Sequence, residues 1–140
     1  MPDLSQSPLI HTLELRVRYQ ETDGQGHVHH SNYLNYFEVA RTEMLRTWGH
    51  SYREMEESGM MLVIVHAECD YQSAAKFDDL LTIETRLEKA KGVRITHQYK
   101  ITRDDQIICT GHTTVACVNK HGKPQRLPEW LRVSDKATAI

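Results

Sequence analysis

A carboxylate, two glycines and three histidines are packed into Asp23–His30, inside the stretch "RVRYQETDGQGHVHHSNYLNYFEVAR" at 16–41. The histidines raise metal binding first, yet His27 and His29 are two apart and His30 adjoins them. A helical zinc pair instead sets its histidines four apart with a glutamate between. His66, His97 and His112 fall on separate strand-like runs with no acid or thiol at ligand spacing, so no metal is expected. Gly24-x-Gly26 between a strand and a helix suggests a dinucleotide loop, but His29 stands where the third glycine belongs. That fingerprint also requires a parallel βαβ unit, which the strands that follow do not supply. What remains is Asp23 at a strand end, a glycine-permitted bend and a helix start. N–H groups at a helix start, with the positive end of its dipole, stabilise charge developing on a carbonyl oxygen. A carboxylate beside that carbonyl either attacks it or takes a proton from an attacking water, and the residues leave both roles open. The combination specifies acyl transfer or hydrolysis. Glu38, the rival carboxylate, lies about eight residues into the helix, roughly 12 Å from its first amides, and is expected to pair with Arg41 or Thr42 on the helix flank.

The elements that must position these groups follow from periodicity. "LELRVRY" (13–19) alternates apolar and polar residues as a strand with one buried face does. Tyr33, Phe37, Ala40, Met44 and Trp48 then recur at steps of three and four, with Leu34 and Leu45 beside them, which predicts one long helix. Ser31 or Asn32 is placed to cap its start, and Gly49 to end it in a left-handed turn. "SYREMEESG" suits a short second helix. From Met60 the period becomes two: "MLVIVHAECDYQ", "DLLTIETRLEK", "VRITHQYKIT" and "IICTGHTTVACVN" are four strand-length runs. Their joints "AAKFDD", "AKG" and "RDDQ" are too short for crossover helices, so the strands are mostly antiparallel or cross by unusual loops. The expected fold is α+β, a five-stranded, mostly antiparallel sheet wrapped around one long helix. "PEWLRV" suits a terminal helical turn, with the last residues frayed.

Bulk properties exclude several partners. Nineteen acidic against seventeen basic side chains leave a net charge of -2, and no basic stripe offers a nucleic-acid surface. The longest apolar run, "MMLVIV" at 60–65, is far short of the roughly 20 residues that span a bilayer. The beginning of the chain does not read as a secretion signal, so a soluble, unexported, cytoplasmic protein is expected. Cys69, Cys109 and Cys117 lie in apolar strand-like runs and are expected to be buried free thiols.

The same stretch resembles the signature of the hotdog-fold acyl-CoA thioesterases, in particular the 4-hydroxybenzoyl-CoA thioesterase-like branch with its short-chain acyl-CoA relatives. That signature is a strand ending Y-x-x-T-D, a glycine loop, V-x-H, an Asn-Tyr pair and an F-E-x-A-R helix. It is matched at Tyr19, Thr22, Asp23, Gly26, Val28, His30, Asn32, Tyr33, Phe37, Glu38, Ala40 and Arg41. The resemblance covers roughly residues 11–132 and implies one hotdog domain over 1–140. It implies that Asp23 is the catalytic carboxylate, that the backbone amide at His30 polarises the thioester carbonyl, and that the side chains of Tyr19 and His30 assist. The implied reaction is hydrolysis of a small acyl-CoA, short-chain aliphatic or aromatic, with no cofactor beyond the coenzyme A of the substrate. A noncatalytic acyl-thioester-binding hotdog module and a hotdog dehydratase are the alternatives; the latter needs a catalytic histidine paired with an acid on another element, and the placement of Asp23 at the helix start speaks against it. Lys89, Lys91 and Arg94, or Lys120, Lys123 and Arg126, are candidate partners for the coenzyme A phosphates and equally suit a solvated surface.

A single helix covers only one face of five strands, and two of the runs, 61–72 and 107–119, are apolar or small on both alternating sets. That imbalance predicts a homodimer. The resemblance agrees, implying active sites at the subunit boundary and a further pairing of dimers into a tetramer.

Overall fold

The computed structural model describes residues 9–132. Five antiparallel strands form one sheet: β1 (Ile10–Arg16), β2 (Met60–Tyr71), β3 (Leu80–Lys91), β4 (Arg94–Arg103) and β5 (Gln106–Asn119). Their spatial order is β1-β3-β4-β5-β2. Tight hairpins join β3 to β4 and β4 to β5. Gly92 (φ 65°) and Asp104 (φ 53°) supply the left-handed residues of these turns. The joint containing "AAKFDD" does more than connect neighbours. It carries the chain from β2 at one side of the sheet to β3 three places away, roughly 14 Å at about 4.8 Å per strand. In doing so it passes the start of the long helix.

That helix, α1 (Asn32–Thr47), buries Tyr33, Tyr36, Phe37, Ala40, Met44 and Leu45. Its N-terminal half packs with Leu81, Ile83, Ile101 and Ile108, and its C-terminal half with Leu87, Ile95, Val115 and Cys117. Leu34, expected in the apolar stripe, is instead exposed, and Tyr36 takes a place in the core. The physical reason is that the Tyr36 hydroxyl finds a buried acceptor, described below. Gly49 ends the helix at φ 86°, its N–H donating to the Arg46 carbonyl, as expected. The short second helix, α2 (Tyr52–Glu57), starts at Ser51, whose hydroxyl accepts the Glu54 N–H at 3.0 Å. Among the described residues no helix is long and apolar enough to cross a membrane.

The helix sits close to the sheet because position 111 is glycine. A Cβ there would lie 2.7 Å from the Phe37 ring, which itself stacks on Tyr99 with centroids 4.2 Å apart. Gly111 and its partner Cys69 therefore mark the helix-facing side of β5 and β2. Of the three free thiols, Cys109 and Cys117 are buried as expected, and Cys69 is only half-buried because β2 is an edge strand. β5 mixes buried and half-buried positions over most of its length, while β2 exposes Val63, Ile64 and Val65 at 40–47% in the single chain. Glu129–Leu131 form a 3-10 turn at the expected position. The reading of the last residues as frayed falls on 133–140, outside the described residues.

Candidate active site

The first strand ends three residues earlier than its alternation predicts, and this shift builds the site. Val17 remains buried, but its backbone bonds Asp78 and Asp79 rather than a strand. At Arg18 the chain turns, because the Glu21 carboxylate accepts the Arg18 backbone N–H at 2.7 Å and its guanidinium at 3.2 Å. Tyr19–Glu21 form a 3-10 turn. Glu21 is buried, and Tyr36 donates its hydroxyl to the same carboxylate at 3.0 Å. Burial, and then the negative charge of Glu21, push the Tyr36 phenol well above its ordinary value, so it stays a donor. The Glu21 carbonyl also accepts the His29 N–H and the Asn32 side-chain amide, each at 2.8 Å. One residue thus fastens both ends of the loop to α1.

Between those anchors the loop folds on Asp23. Its N–H donates to the His27 carbonyl at 2.8 Å, and its carbonyl accepts the Gly26 N–H at 3.0 Å, with Gly26 at φ 81°. The chain then pairs with the crossing joint through Val28 N–H to the Ala75 carbonyl and a bridge between His27 and Lys76. Asp23 Oδ1 accepts the N–H groups of Gln25 (2.9 Å) and His27 (3.3 Å). Oδ2 has no hydrogen-bond partner among the described residues. The Gln25 amide, foremost, holds the carboxyl below its ordinary range, so Asp23 is an anion at neutral pH. The residue is anchored by one oxygen and free at the other.

His30 follows, two residues before the helix begins. Its carbonyl accepts the Tyr71 hydroxyl at 3.0 Å, while its N–H donates to no group among the described residues. The imidazole stacks on His29 at 4.2 Å and meets Tyr71 edge-on at 6.4 Å. Neither expected helix cap forms. Ser31 makes no capping bond and pairs with His29 Nδ1 at 2.8 Å, and Asn32 reaches back to Glu21. Tyr19 lies on the 3-10 turn, 75% exposed, with its ring edge-on against Phe77 at 5.5 Å. It touches the loop through its carbonyl, which accepts the Thr22 hydroxyl and N–H. Glu38 lies 3.8 Å from Arg41, as expected.

Glu21, Tyr36 and Tyr71 belong to this site although the sequence pattern did not single them out. Arg18-x-x-Glu21 is a local signal for the first, since the pair closes a reciprocal cap. Tyr71 is 41 residues from its partner and carries no such signal. The expectation that His66 and His112 have no acid at ligand spacing is corrected. β2 and β5 are neighbours, and Glu68 Oε1 lies 2.7 Å from the Nε2 atoms of both histidines. His97 stays apart, in the core.

Residues 17–134 match the thioesterase-like superfamily. The acyl-CoA thioesterase YbgC of Haemophilus influenzae is 39% identical over 122 residues, covering 86% of this chain and 90% of that protein. An acyl-CoA thioester hydrolase YbgC of Escherichia coli is 30% identical over 117 residues, covering 82% and 87%. Among solved structures, the DHNA-CoA thioesterase of Staphylococcus aureus superposes with a TM-score of 0.82 at 30% identity, covering 84% of this chain and 80% of that one. With the five-stranded antiparallel sheet, the long helix and the loop at its start all in place, the chain belongs to the thioesterase-like superfamily of hotdog proteins.

Proposed function

We propose that this protein hydrolyses the thioester of a small acyl-CoA to the free acid and coenzyme A, with Asp23 and the His30 amide as its working groups. The observation that carries the reading is that the loop leading into α1 holds a carboxylate whose Oδ2 has no partner, and a backbone N–H with no acceptor, among the described residues. In the reaction the thioester carbonyl oxygen accepts the His30 N–H, which stabilises the negative charge that develops as the carbon becomes tetrahedral. Asp23 Oδ2 either attacks the carbonyl carbon, forming an anhydride that water opens, or takes a proton from the attacking water. The C–S bond breaks, the electron pair leaves on sulfur, and the thiolate takes up a proton. The imidazole of His30 and the ring of Tyr19 serve as accessory groups. No cofactor takes part, and coenzyme A enters as part of the substrate.

The site is completed by a second copy. β2 is the longer edge of the sheet, with apolar side chains on both faces, while β1 is short and alternates. His30 and Tyr71 lie at one end of β2, and a cavity of about 250 Å³ opens beside Leu62 and Ile64 near its other end. Two-fold antiparallel pairing of β2 edges sets the loop of one protomer beside the cavity of the other. Leu45, Trp48 and Val115 make that cavity apolar, suited to a short aliphatic or aromatic acyl group. Burial holds His97 on its wall at a pKa of about 3, so the imidazole there is neutral. Lys91 and Arg94 lie at the same end of the sheet as Lys120 and Lys123, because Gly92 and Val93 bond Leu127 and Cys117, and there they can meet the coenzyme A phosphates. The homodimer is the functional unit and pairs again into a tetramer. Three free thiols suit a reducing cytoplasm.

A panel of aliphatic and aromatic acyl-CoA substrates, followed by thiol release, tests the reaction. Saturable release from at least one small acyl-CoA is expected; hydration of an enoyl-CoA with no thiol release would replace hydrolase by dehydratase, and binding without either reaction would leave a noncatalytic module. His30 gives a second test within this reading. His30→Ala keeps the backbone donor and is expected to lower kcat less than loss of the Asp23 carboxylate does. His30→Pro removes the N–H and is expected to cost at least as much as His30→Ala, about 100-fold in kcat by analogy with deletion of an oxyanion donor. Parent rates in a folded proline variant remove the amide from the mechanism.

A further inference from the structure

Alternation along β2 and β5 sets Cys69 and Gly111 toward α1 and turns their neighbours Glu68 and His112 to the opposite, outer face of the sheet. His66, two residues from Glu68, shares that face. The Nε2 atoms of both histidines converge on one oxygen, Glu68 Oε1, at 2.7 Å each, and the two imidazoles stack with centroids 5.6 Å apart. The three ligand atoms all lie within 4.8 Å of one another. No part of the proposed hydrolysis uses them.

We propose that His66, Glu68 and His112 form a binding site for a first-row divalent cation, zinc above all, on the outer face of the sheet. Two imidazoles and one carboxylate are a complete protein ligand set for tetrahedral zinc with a fourth position left to solvent. In the single chain the side chains are 39–54% exposed, within reach of a hydrated ion. Zinc–nitrogen and zinc–oxygen bonds of about 2.0–2.2 Å place ligands roughly 3.3 Å apart in a tetrahedron. Reaching that separation opens the present 2.7 Å contacts to Glu68 Oε1, with adjustment of the Glu68 carboxylate and of both imidazoles. Each histidine binds the ion as a neutral imidazole, with its proton on Nδ1 and the Nε2 lone pair toward the metal, so two shared hydrogen bonds give way to three coordinate bonds. Within one chain β2 joins the sheet only through β5, and an ion held by His66 and Glu68 of β2 and His112 of β5 fastens the two strands together. The site lies across the sheet from Asp23, so it serves structure and takes no step in turnover.

The test uses tag-free, chelator-stripped protein titrated with Zn²⁺ by calorimetry and with Co²⁺ by visible absorption, which reports tetrahedral coordination. One ion per chain is expected, with a rise in Tm on zinc addition. Glu68→Gln and His112→Ala are each expected to weaken binding about tenfold or more and to abolish the Tm rise, with thiol release from acyl-CoA unchanged in both variants and after chelation. Absence of saturable binding at one per chain, or parent affinity in both variants, overturns the site. Loss of turnover on chelation, restored by the ion, overturns its separation from the catalysis.

Discussion

Asp23→Asn is expected to lower kcat by about 100-fold or more while leaving the fold and acyl-CoA binding near their parent values. The carboxamide keeps an oxygen to accept the Gln25 and His27 amides, so the loop retains its shape. It replaces the free oxygen with an NH₂ group, which neither attacks a carbonyl nor accepts a proton. The pH dependence follows from the same contacts. Because the amide of Gln25 holds the Asp23 carboxyl below its ordinary range, the reactive anion is the form present at neutral pH and is lost only as pH falls through that lowered value. An acid limb of kcat/KM that lies below the ordinary carboxylate range is therefore expected. Steady-state rates with circular dichroism check the first point, and a pH profile the second. Turnover near the parent value in the folded variant removes Asp23 from the chemistry. A single turnover in ¹⁸O-water then tests the nucleophilic role, since label appears in Asp23 only when water opens an anhydride at the Asp23 carbonyl.

The second large effect concerns the β2 edge. Val63→Lys with Val65→Lys is expected to give a monomer in analytical ultracentrifugation and to reduce thiol release at least about tenfold. Both valines are at least 40% exposed in the single chain, so the charges do not disturb its core. A lysine on an edge strand opposes pairing with an identical edge, where two copies would meet across the two-fold axis. Dilution of the unsubstituted protein provides the matching measurement, with specific activity expected to fall as the dimer dissociates. A monomer with full specific activity shows that one chain builds the site alone.

Much of this molecule is legible before any coordinates. The glycines and Asp23 announce a turn with chemistry in it, and the change from a period near 3.6 to a period of two after Gly59 separates helix from sheet. These signals are local, set by backbone geometry and by which face of each element meets the core. They extend to Gly49 ending α1, and to the antiparallel strands that short joints enforce. Where local alternation ran on beyond its cause, it misled. "LELRVRY" alternates through Tyr19, but the bond from Glu21 to the Arg18 N–H turns the chain out of the sheet after Arg16.

Only tertiary structure decided the rest, because it depends on which distant segments become neighbours. Tyr36 enters the core in place of Leu34 because Glu21 offers it a buried acceptor 15 residues away. Tyr71 reaches the His30 carbonyl because the sheet order sets β2 at the edge near the start of α1. His66, Glu68 and His112 look unrelated in a chain that separates them by up to 46 residues, yet β2–β5 pairing puts Glu68 opposite His112 with His66 on the same face. Spacing along a sequence fixes neighbours within one helix or strand; strand order and register fix them across a sheet, and no local pattern carries that information.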